Sequence, residues 1–149
     1  MPTQFMIRSQ PPPSVARAML EAEDLPVADL TDANFEHFFF VGSDGSPSGL
    51  VGLEINGADA LLRSLVVCAS ERRKGLGAVL VRHAESYAAS KGVRSIYLLT
   101  TTAETFFRQR GYRQIDRTKA PPSIQLTPEF ASLCPASSAF MTKSLYPDG

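Results

Sequence analysis

Near the middle of the chain, the spacing of apolar residues changes from a pattern typical of β-strands to one typical of an α-helix. Residues 35–69 read "FEHFFFVGSDGSPSGLVGLEINGADALLRSLVVCA", in which aromatic and β-branched runs are interrupted by Gly, Ser, Asp and Pro. This pattern predicts three antiparallel strands, with turns at "GSDGSPSG" and "NGAD". After the segment "SERRKGLGAV", apolar residues recur at helical spacing instead: Leu76, Val79, Leu80, Ala84, Tyr87 and Ala88. A meander of strands followed by an amphipathic helix restricts the chain to folds that pack helices on a sheet.

The segments before and after this central region are also predicted to form strands and helices. "QFMIRS" (residues 4–9) predicts a first strand, "VARAMLEAEDL" a helix starting at Ser14, and "VADLTDANF" a second short helix. Beyond the central helix, "RSIYLLT", "YRQID" and "SAFMTKSL" predict strands, whereas "TAETFFRQR" and "PEFASL" predict helical segments. We therefore expect one α/β domain with a mixed sheet over residues 1–149.

The overall composition excludes several classes of partner. The formal net charge is zero, so nothing in the totals indicates binding to nucleic acid or to an anionic membrane. Cys68 and Cys134 are far apart and lack the paired spacing of a metal site, which favours two reduced thiols and no metal. No apolar run reaches the length of a membrane span or a signal peptide, and we expect a cytoplasmic protein.

The turn before the central helix has the features of an anion-binding site. A strand that ends in Val66 and Val67, a short loop and a helix that begins at Gly75 place unpaired backbone N–H groups around one spot. Gly75 and Gly77 permit close approach of the backbone to a ligand. The spacing excludes a P-loop, which ends in Gly-Lys-Ser/Thr, and a Rossmann fingerprint, which needs a third glycine where this chain has Leu80.

Basic residues reinforce this turn. Arg72, Arg73 and Lys74 add positive charge where the helix dipole is already positive, a combination that suits a pyrophosphate. The pattern Arg-x-x-Gly-x-Gly, formed by Arg72, Gly75 and Gly77, resembles the acyl-CoA loop of the GNAT superfamily of N-acetyltransferases. A second element of that superfamily, Ala-x-x-aromatic-aromatic-x-x-x-Gly-aromatic, is matched by Ala103, Phe106, Phe107, Gly111 and Tyr112.

The resemblance implies a fold, a co-substrate and a binding site. The fold would be the GNAT fold, an α+β arrangement with a mixed, mostly antiparallel sheet of about seven strands and about four flanking helices. Backbone N–H groups of residues 73–78, which include Leu76 and Ala78, would hold the pyrophosphate of acetyl-CoA, and the basic side chains would face its phosphates. Main-chain groups of Val66 and Val67 would hold the pantetheine arm, where two central strands splay apart.

The second element implies contacts with the same arm, but it departs from the family pattern. Phe106 and Phe107 would lie beside the pantetheine, although both rings also have the spacing of core residues. Phe107 occupies the position of the tyrosine that protonates the departing sulfur in many members, and Thr100 replaces the family asparagine. We therefore assign no general acid. Because a thiol has a pKa near 8.5, water or a hydroxyl of Ser64, Thr101 or Thr102 could suffice.

Two charged residues interrupt the apolar strands. Glu54 lies in "LVGLEI" and Arg63 in "ALLRSLVV", and with "NGAD" as the connecting loop they would be diagonal neighbours on one face. In one interpretation they flank the acceptor pocket, Glu54 receiving a proton and Arg63 binding a substrate anion. In the other they form a structural ion pair within the sheet.

The acceptor is predicted from similarity alone. "YLLTTTAETFFRQRGY" and the C-terminal tail are similar to the arsenic-resistance N-acetyltransferases, and the first stretch is also similar to N-acetylglutamate synthases. Both imply a small, anionic, amino-acid-like primary amine, such as an organoarsenical or a phosphinothricin-type compound. A catalytically reduced acyl-CoA-binding module and a protein N-terminal acetyltransferase remain alternatives, and the sequence leaves open whether the protein is a monomer or a homodimer.

Overall fold

The structure is a computed structural model that describes residues 6–72, 75–133 and 137–145. Its strands are β1 (Ile7–Ser9), β2 (Phe38–Ser43), β3 (Ser46–Asn56), β4 (Asp59–Val67), β5 (Ser95–Thr100), β6 (Arg113–Gln114) and β7 (Ala139–Ser144). Its α-helices are α1 (Pro13–Ala22), α2 (Leu76–Ser90), α3 (Glu104–Arg108) and α4 (Pro122–Gln125). Three 3₁₀ turns, Asp32–His37, Ala69–Glu71 and Arg117–Lys119, and a π-turn, Glu129–Leu133, complete the described elements.

The sheet has the predicted mixed and mostly antiparallel character. The strand order is β1-β2-β3-β4-β5-β7-β6. The β1–β2, β2–β3, β5–β7 and β6–β7 pairs are antiparallel, and the β4–β5 pair is parallel. The predicted hairpin between β3 and β4 is confirmed, and its turn is made by Gly57, with φ of +62°, and Ala58. None of the helices in the described residues is long and apolar enough to cross a bilayer.

The chain forms two compact units, and each has its own core. Unit 1 comprises Met1–Leu53 and Ser64–Ser86. In this unit one face of α1 packs on an aromatic and aliphatic face of the strands. The buried members of that cluster are Ala16, Leu20, Leu30, Phe35, Phe38, Phe40, Leu50 and Val66.

Helix α2 approaches β3 very closely in unit 1, because β3 carries a glycine at the crossing. A Cβ placed on Gly49 would lie 2.9 Å from a methyl group of Leu76 and 2.9 Å from one of Leu80. These two leucines belong to the predicted apolar stripe of the helix, and both are buried. The absence of a side chain at Gly49 therefore fixes where the first turns of α2 lie on the strand.

Unit 2 comprises Glu54–Arg63 and Tyr87–Gly149. Its core contains Leu61, Ala120, Ile124 and Phe140, with the half-buried rings of Tyr97 and Phe130 packed against them. Tyr97 stacks on Phe140 with ring centroids 5.7 Å apart, and Phe130 meets Phe140 edge-on at 5.2 Å. The segment between β6 and β7, which contains α4 and the π-turn, supplies much of this core.

The helix predicted around "VADLTDANF" differs in position and type. The structure has a 3₁₀ turn at Asp32–His37 instead. Its start is set by a capping box, in which the Asn34 side chain accepts a hydrogen bond from the Thr31 backbone N–H at 2.7 Å. A polar cap of this kind outweighs the weak apolar period of the preceding residues.

Candidate functional site

The loop between β4 and α2 presents backbone donors at the start of a long helix. Gly75 has φ of +83°, a conformation that side-chain-bearing residues rarely adopt, and its carbonyl accepts the first helical hydrogen bond from the Val79 N–H at 3.1 Å. The amides of Leu76, Gly77 and Ala78 precede that bond, so they point out of the helix end toward any anion placed there. The backbone conformation of Gly75 therefore leaves these amides at the helix start, where the sequence predicts anion binding.

The two glycines of this loop have different roles. Gly77 lies within α2, so its backbone is helical, whereas Gly75 precedes the helix and has the left-handed conformation. Of the three predicted cations, Arg73 and Lys74 lie outside the described residues.

The third cation, Arg72, turns back onto unit 1. Its Nε donates a hydrogen bond to the Val67 carbonyl at 3.0 Å, and its Nη2 pairs with Glu23 at 3.2 Å. Both side chains of the ion pair are about half exposed, at 54% and 45%. Because exposed pairs of this kind contribute little free energy, Arg72 can exchange Glu23 for another anion at small cost.

An open groove of about 610 Å³ runs beside α1 in unit 1. It is lined mainly by apolar groups, among them Ala18, Met19, Pro47 and Val66, and Cys68 and Arg72 also border it. Val66 therefore connects this groove with the strand end at which the pantetheine arm is predicted to lie.

Strand β4 changes conformation at its centre. Ser64 is 7% exposed and has φ of +61°, the left-handed region that an L-residue with a Cβ normally avoids. The β4–β5 pairing covers Asp59–Leu61 against Ser95–Tyr97, upstream of this residue. A left-handed residue inside a strand re-aims the backbone as a β-bulge does, and such positions concentrate at functional sites.

In unit 2, Arg63 lies between two carboxylates. Its Nη1 is 2.7 Å from Glu54 Oε2 and its Nη2 is 3.1 Å from Glu129 Oε2. The Arg63 side chain has no exposed surface, whereas 17% of Glu54 and 5% of Glu129 are exposed. The predicted neighbour relation between Glu54 and Arg63 is confirmed, and so is the ion pair of the second interpretation. No sequence signal pointed to Glu129.

Helix α3 assigns different environments to its two phenylalanines. Phe107 is 4% exposed and packs edge-on against Tyr112, at a centroid distance of 5.4 Å. Phe106 is half-buried, and the Arg110 guanidinium lies 4.3 Å from its ring centroid. Thr100 Oγ1 accepts a hydrogen bond from the Ala103 N–H at 3.0 Å at the helix start. Phe107 thus belongs to the core of unit 2, and Phe106 is the ring with open surface.

Two titratable groups outside these clusters are perturbed by burial. Burial lowers the pKa of His83, whose ring meets Phe39 edge-on at 4.7 Å in unit 1. In unit 2, burial and then the negative charge of Asp59 raise the pKa of Tyr97. Across the described ranges, no three His, Cys, Asp or Glu side chains are grouped so as to hold a metal ion.

Comparison with known proteins identifies the family. Residues 5–113 match the model of the acetyltransferase (GNAT) family, and the chain belongs to that family of acyltransferases. A stretch of 65 residues is 37% identical to an uncharacterized N-acetyltransferase of Chlorobaculum tepidum. That stretch is 44% of this chain and 41% of the relative, so the chain matches less than half of that protein.

Solved structures share the fold at low identity. N-acetylglutamate synthase from Neisseria gonorrhoeae, in complex with coenzyme A and N-acetyl-glutamate, superposes with a TM-score of 0.79 at 18% identity. The match covers 96% of this chain and 35% of the synthase. The ribosomal-protein-S18-alanine N-acetyltransferase of Escherichia coli superposes with a TM-score of 0.65 at 15% identity, covering 98% of this chain and 97% of that enzyme. These likenesses confirm the predicted GNAT fold.

Proposed function

We propose that the protein transfers an acetyl group from acetyl-CoA to the primary amine of a small, anionic, amino-acid-like acceptor. The observation that supports the proposal is the backbone of Gly75, whose left-handed conformation precedes the first amides of α2 in the loop that matches the GNAT pattern. An organoarsenical or phosphinothricin-type amine is the narrower form of the proposal, and it rests on the similarity of the sequence.

The donor's phosphates would bind the amides of Leu76, Gly77 and Ala78, and Arg72, Arg73 and Lys74 would supply the positive charge. For this the Arg72 side chain leaves Glu23, and it also frees the Val67 carbonyl, which together with Val66 would then bind the pantetheine arm. The family resemblance implies that Phe106 also contacts this arm, and Phe106 is half-buried, with part of its ring open.

Proton removal would fall to Glu54. Near neutral pH a primary amine is mostly an ammonium, which cannot attack, so a base must take one proton from it. The freed nitrogen then forms a bond to the thioester carbonyl carbon, and the carbon–sulfur bond breaks with its electron pair leaving on the sulfur. The second proton that the nitrogen must lose to become an amide would pass through water or a hydroxyl such as Ser64 to the departing thiolate. Glu54 suits the role of base because its carboxylate is held by Arg63 and still reaches solvent.

Arg63 would then orient the base, Glu54, and would not bind the negatively charged group of the acceptor. Both terminal nitrogens of its guanidinium already bind carboxylates, and the side chain is fully buried. An acceptor carboxylate at Arg63 would have to displace Glu54 or Glu129 without help from solvent, which costs several kcal/mol, on the order of a broken buried pair. We therefore propose Arg63 as the residue that orients Glu54.

The test is thiol release from acetyl-CoA in the presence of single acceptors: the twenty amino acids, phosphinothricin and an organoarsenical amino acid. We expect turnover with at least one anionic amino acid, and we expect Glu54→Gln to lose at least tenfold in kcat while the KM for acetyl-CoA stays within about twofold. The matched control is Glu104→Gln, which removes a carboxylate from an exposed ion pair with Arg108. Coenzyme A binding without any turnover would contradict the enzyme and favour a binding module.

A further inference from the structure

Arg110 lies in the turn that follows α3 in unit 2, and it is half-buried. Its Nη1 donates a long hydrogen bond to the Phe106 carbonyl at 3.4 Å, and its Nε is buried with no hydrogen-bond partner. Two other arginines that are shielded from solvent are paired: Arg17 with Asp32 at 3.0 Å, and Arg63 with two glutamates. Within the part of the chain that the structure describes, Arg110 has no such carboxylate.

The Arg110 side chain is held by an aromatic ring. The guanidinium carbon lies over the Phe106 ring, 4.3 Å from its centroid. A ring attracts a cation through its face and uses none of the N–H donors of the guanidinium. A buried N–H donor without an acceptor costs free energy, and the cost is larger on a charged group. The contact with Phe106 therefore fixes the guanidinium and leaves its charge and most of its donors available to an anion.

The backbone of Arg110 is anchored on both sides. Its N–H donates a hydrogen bond to the Phe107 carbonyl at 2.9 Å, and its carbonyl accepts one from Lys143 Nζ, on β7, at 2.9 Å. The next residue, Gly111, has φ of +95°, and a Cβ placed there would lie 3.3 Å from Lys143 Cε. The guanidinium is thus carried by a fixed turn, and a preorganised group loses little conformational freedom when it binds a ligand.

We infer that Arg110 binds the carboxylate of the acceptor, the group that Arg63 does not bind because its terminal nitrogens already hold carboxylates. This inference rests on the proposed function, since it assigns the anionic group of the proposed acceptor. The N–H donors of a guanidinium form a planar fork that matches the two oxygens of a carboxylate or phosphinate. Because the family resemblance implies that Phe106 lies beside the pantetheine arm, an anion at Arg110 would lie near the arm that delivers the acetyl group.

The direct test follows the Nε–H resonances of Arg110 and Arg108 by NMR in the wild type, assigned through side-chain correlations. L-glutamate and L-phosphinothricin are titrated separately in saturating coenzyme A, so the effect of the coenzyme on both resonances is constant. We expect at least one of the two compounds to shift the Arg110 resonance along a saturable curve. The Arg108 resonance is the control, because Arg108 is exposed and pairs with Glu104, and it should stay in place. An unmoved Arg110 resonance with both compounds would overturn the inference.

Kinetics measure what Arg110 contributes. Arg110→Gln removes the charge and the fork, so we expect the KM for L-glutamate to rise by about tenfold or more, with kcat within about threefold and the KM for acetyl-CoA within about twofold of the wild type. Arg110→Lys keeps the charge without the fork and should give an intermediate KM. Arg108→Gln, which removes an exposed arginine from the same segment, should leave all three constants within about twofold.

A second pair of acceptors tests whether charge is what Arg110 recognises. L-glutamine keeps the α-carboxylate and L-isoglutamine keeps the side-chain carboxylate, and each replaces the other carboxylate with a neutral amide. We expect Arg110→Gln to lose its effect on KM with at least one of these amides, which identifies the carboxylate that Arg110 binds. An equal rise in KM for L-glutamate and both amides would mean that Arg110 acts through the structure of the site, and it would overturn the inference.

Two further outcomes separate this inference from its alternatives. A rise in the KM for acetyl-CoA in Arg110→Gln, with an unchanged KM for L-glutamate, would assign Arg110 to the phosphates of the donor and contradict the inference. Absence of turnover in the wild type with every acceptor would contradict the proposed function. The NMR titration of the wild type would then still decide whether Arg110 binds the anion.

Discussion

The loop between β4 and α2 and the cluster of Glu54, Arg63 and Glu129 are built in opposite ways. In the proposed function the loop of unit 1 would act through backbone amides of consecutive residues, whose direction is set by one left-handed glycine, Gly75. The cluster of unit 2 acts through side chains from three separate segments, Glu54, Arg63 and Glu129, all largely buried. A site made of backbone tolerates most side-chain changes and fails when its geometry changes. A site made of buried charges fails when any one partner is removed.

The largest effect is expected at Arg63. Arg63→Ala leaves two buried carboxylates without their shared cation, and we predict a loss of about 3–5 kcal/mol in the free energy of unfolding, measured by urea denaturation. The control is Arg108→Ala, which breaks an exposed pair with Glu104 and should cost about 0.5 kcal/mol or less. If both substitutions lower the free energy of unfolding by the same small amount, Arg63 does not form the buried ion pairs with Glu54 and Glu129.

A smaller effect is expected at Ser64, where the backbone and not the side chain is under constraint. Ser64→Val places a β-branched residue at φ of +61° and should lower the free energy of unfolding by about 2 kcal/mol, whereas Ser64→Gly should stay within about 1 kcal/mol of the wild type. Thermal unfolding of the two variants and the wild type measures this difference in stability. An equal loss in both would mean that the hydroxyl contacts, and not the strand conformation, make Ser64 important.

The smallest effect is expected at His83, on the face of α2 in unit 1. Burial lowers its pKa below the ordinary 6.5, so below pH 6.5 the unfolded chain takes up a proton that the folded chain resists. Stability should therefore fall as the pH drops from 7 toward 5. His83→Phe keeps the edge-on contact with Phe39 and should flatten that part of the stability profile. An unchanged slope in the variant would assign the pH dependence to other groups.

The comparison also explains what the sequence could predict. The β3–β4 hairpin, the apolar stripe of α2 and the loop between β4 and α2 were predictable because each signal lies within about a dozen neighbouring residues. The neighbour relation of Glu54 and Arg63 was predictable for the same reason, since one short turn sets their register.

Features that depend on packing between distant segments could not be predicted. Glu129 joins the cluster only because the segment between β6 and β7 folds onto unit 2, and its π-turn has no periodic signature. The left-handed backbone of Ser64 is invisible in a strand pattern that reads as continuous. The burial of Phe107, in contrast to the open face of Phe106, follows from contacts with Tyr112 that helical spacing alone does not reveal.

The central claim is that the phosphates of acetyl-CoA bind the backbone amides of Leu76, Gly77 and Ala78, and that the left-handed conformation of Gly75 orients these amides. The most direct measurement is a calorimetric titration of coenzyme A into the wild type, Gly75→Ala and Gly92→Ala. Both glycines have a left-handed φ, +83° and +88°, and open space where a Cβ would go, so both substitutions strain the backbone alike. The account predicts at least tenfold weaker binding for Gly75→Ala and binding within about twofold of the wild type for Gly92→Ala. Equal affinity in all three proteins would contradict it.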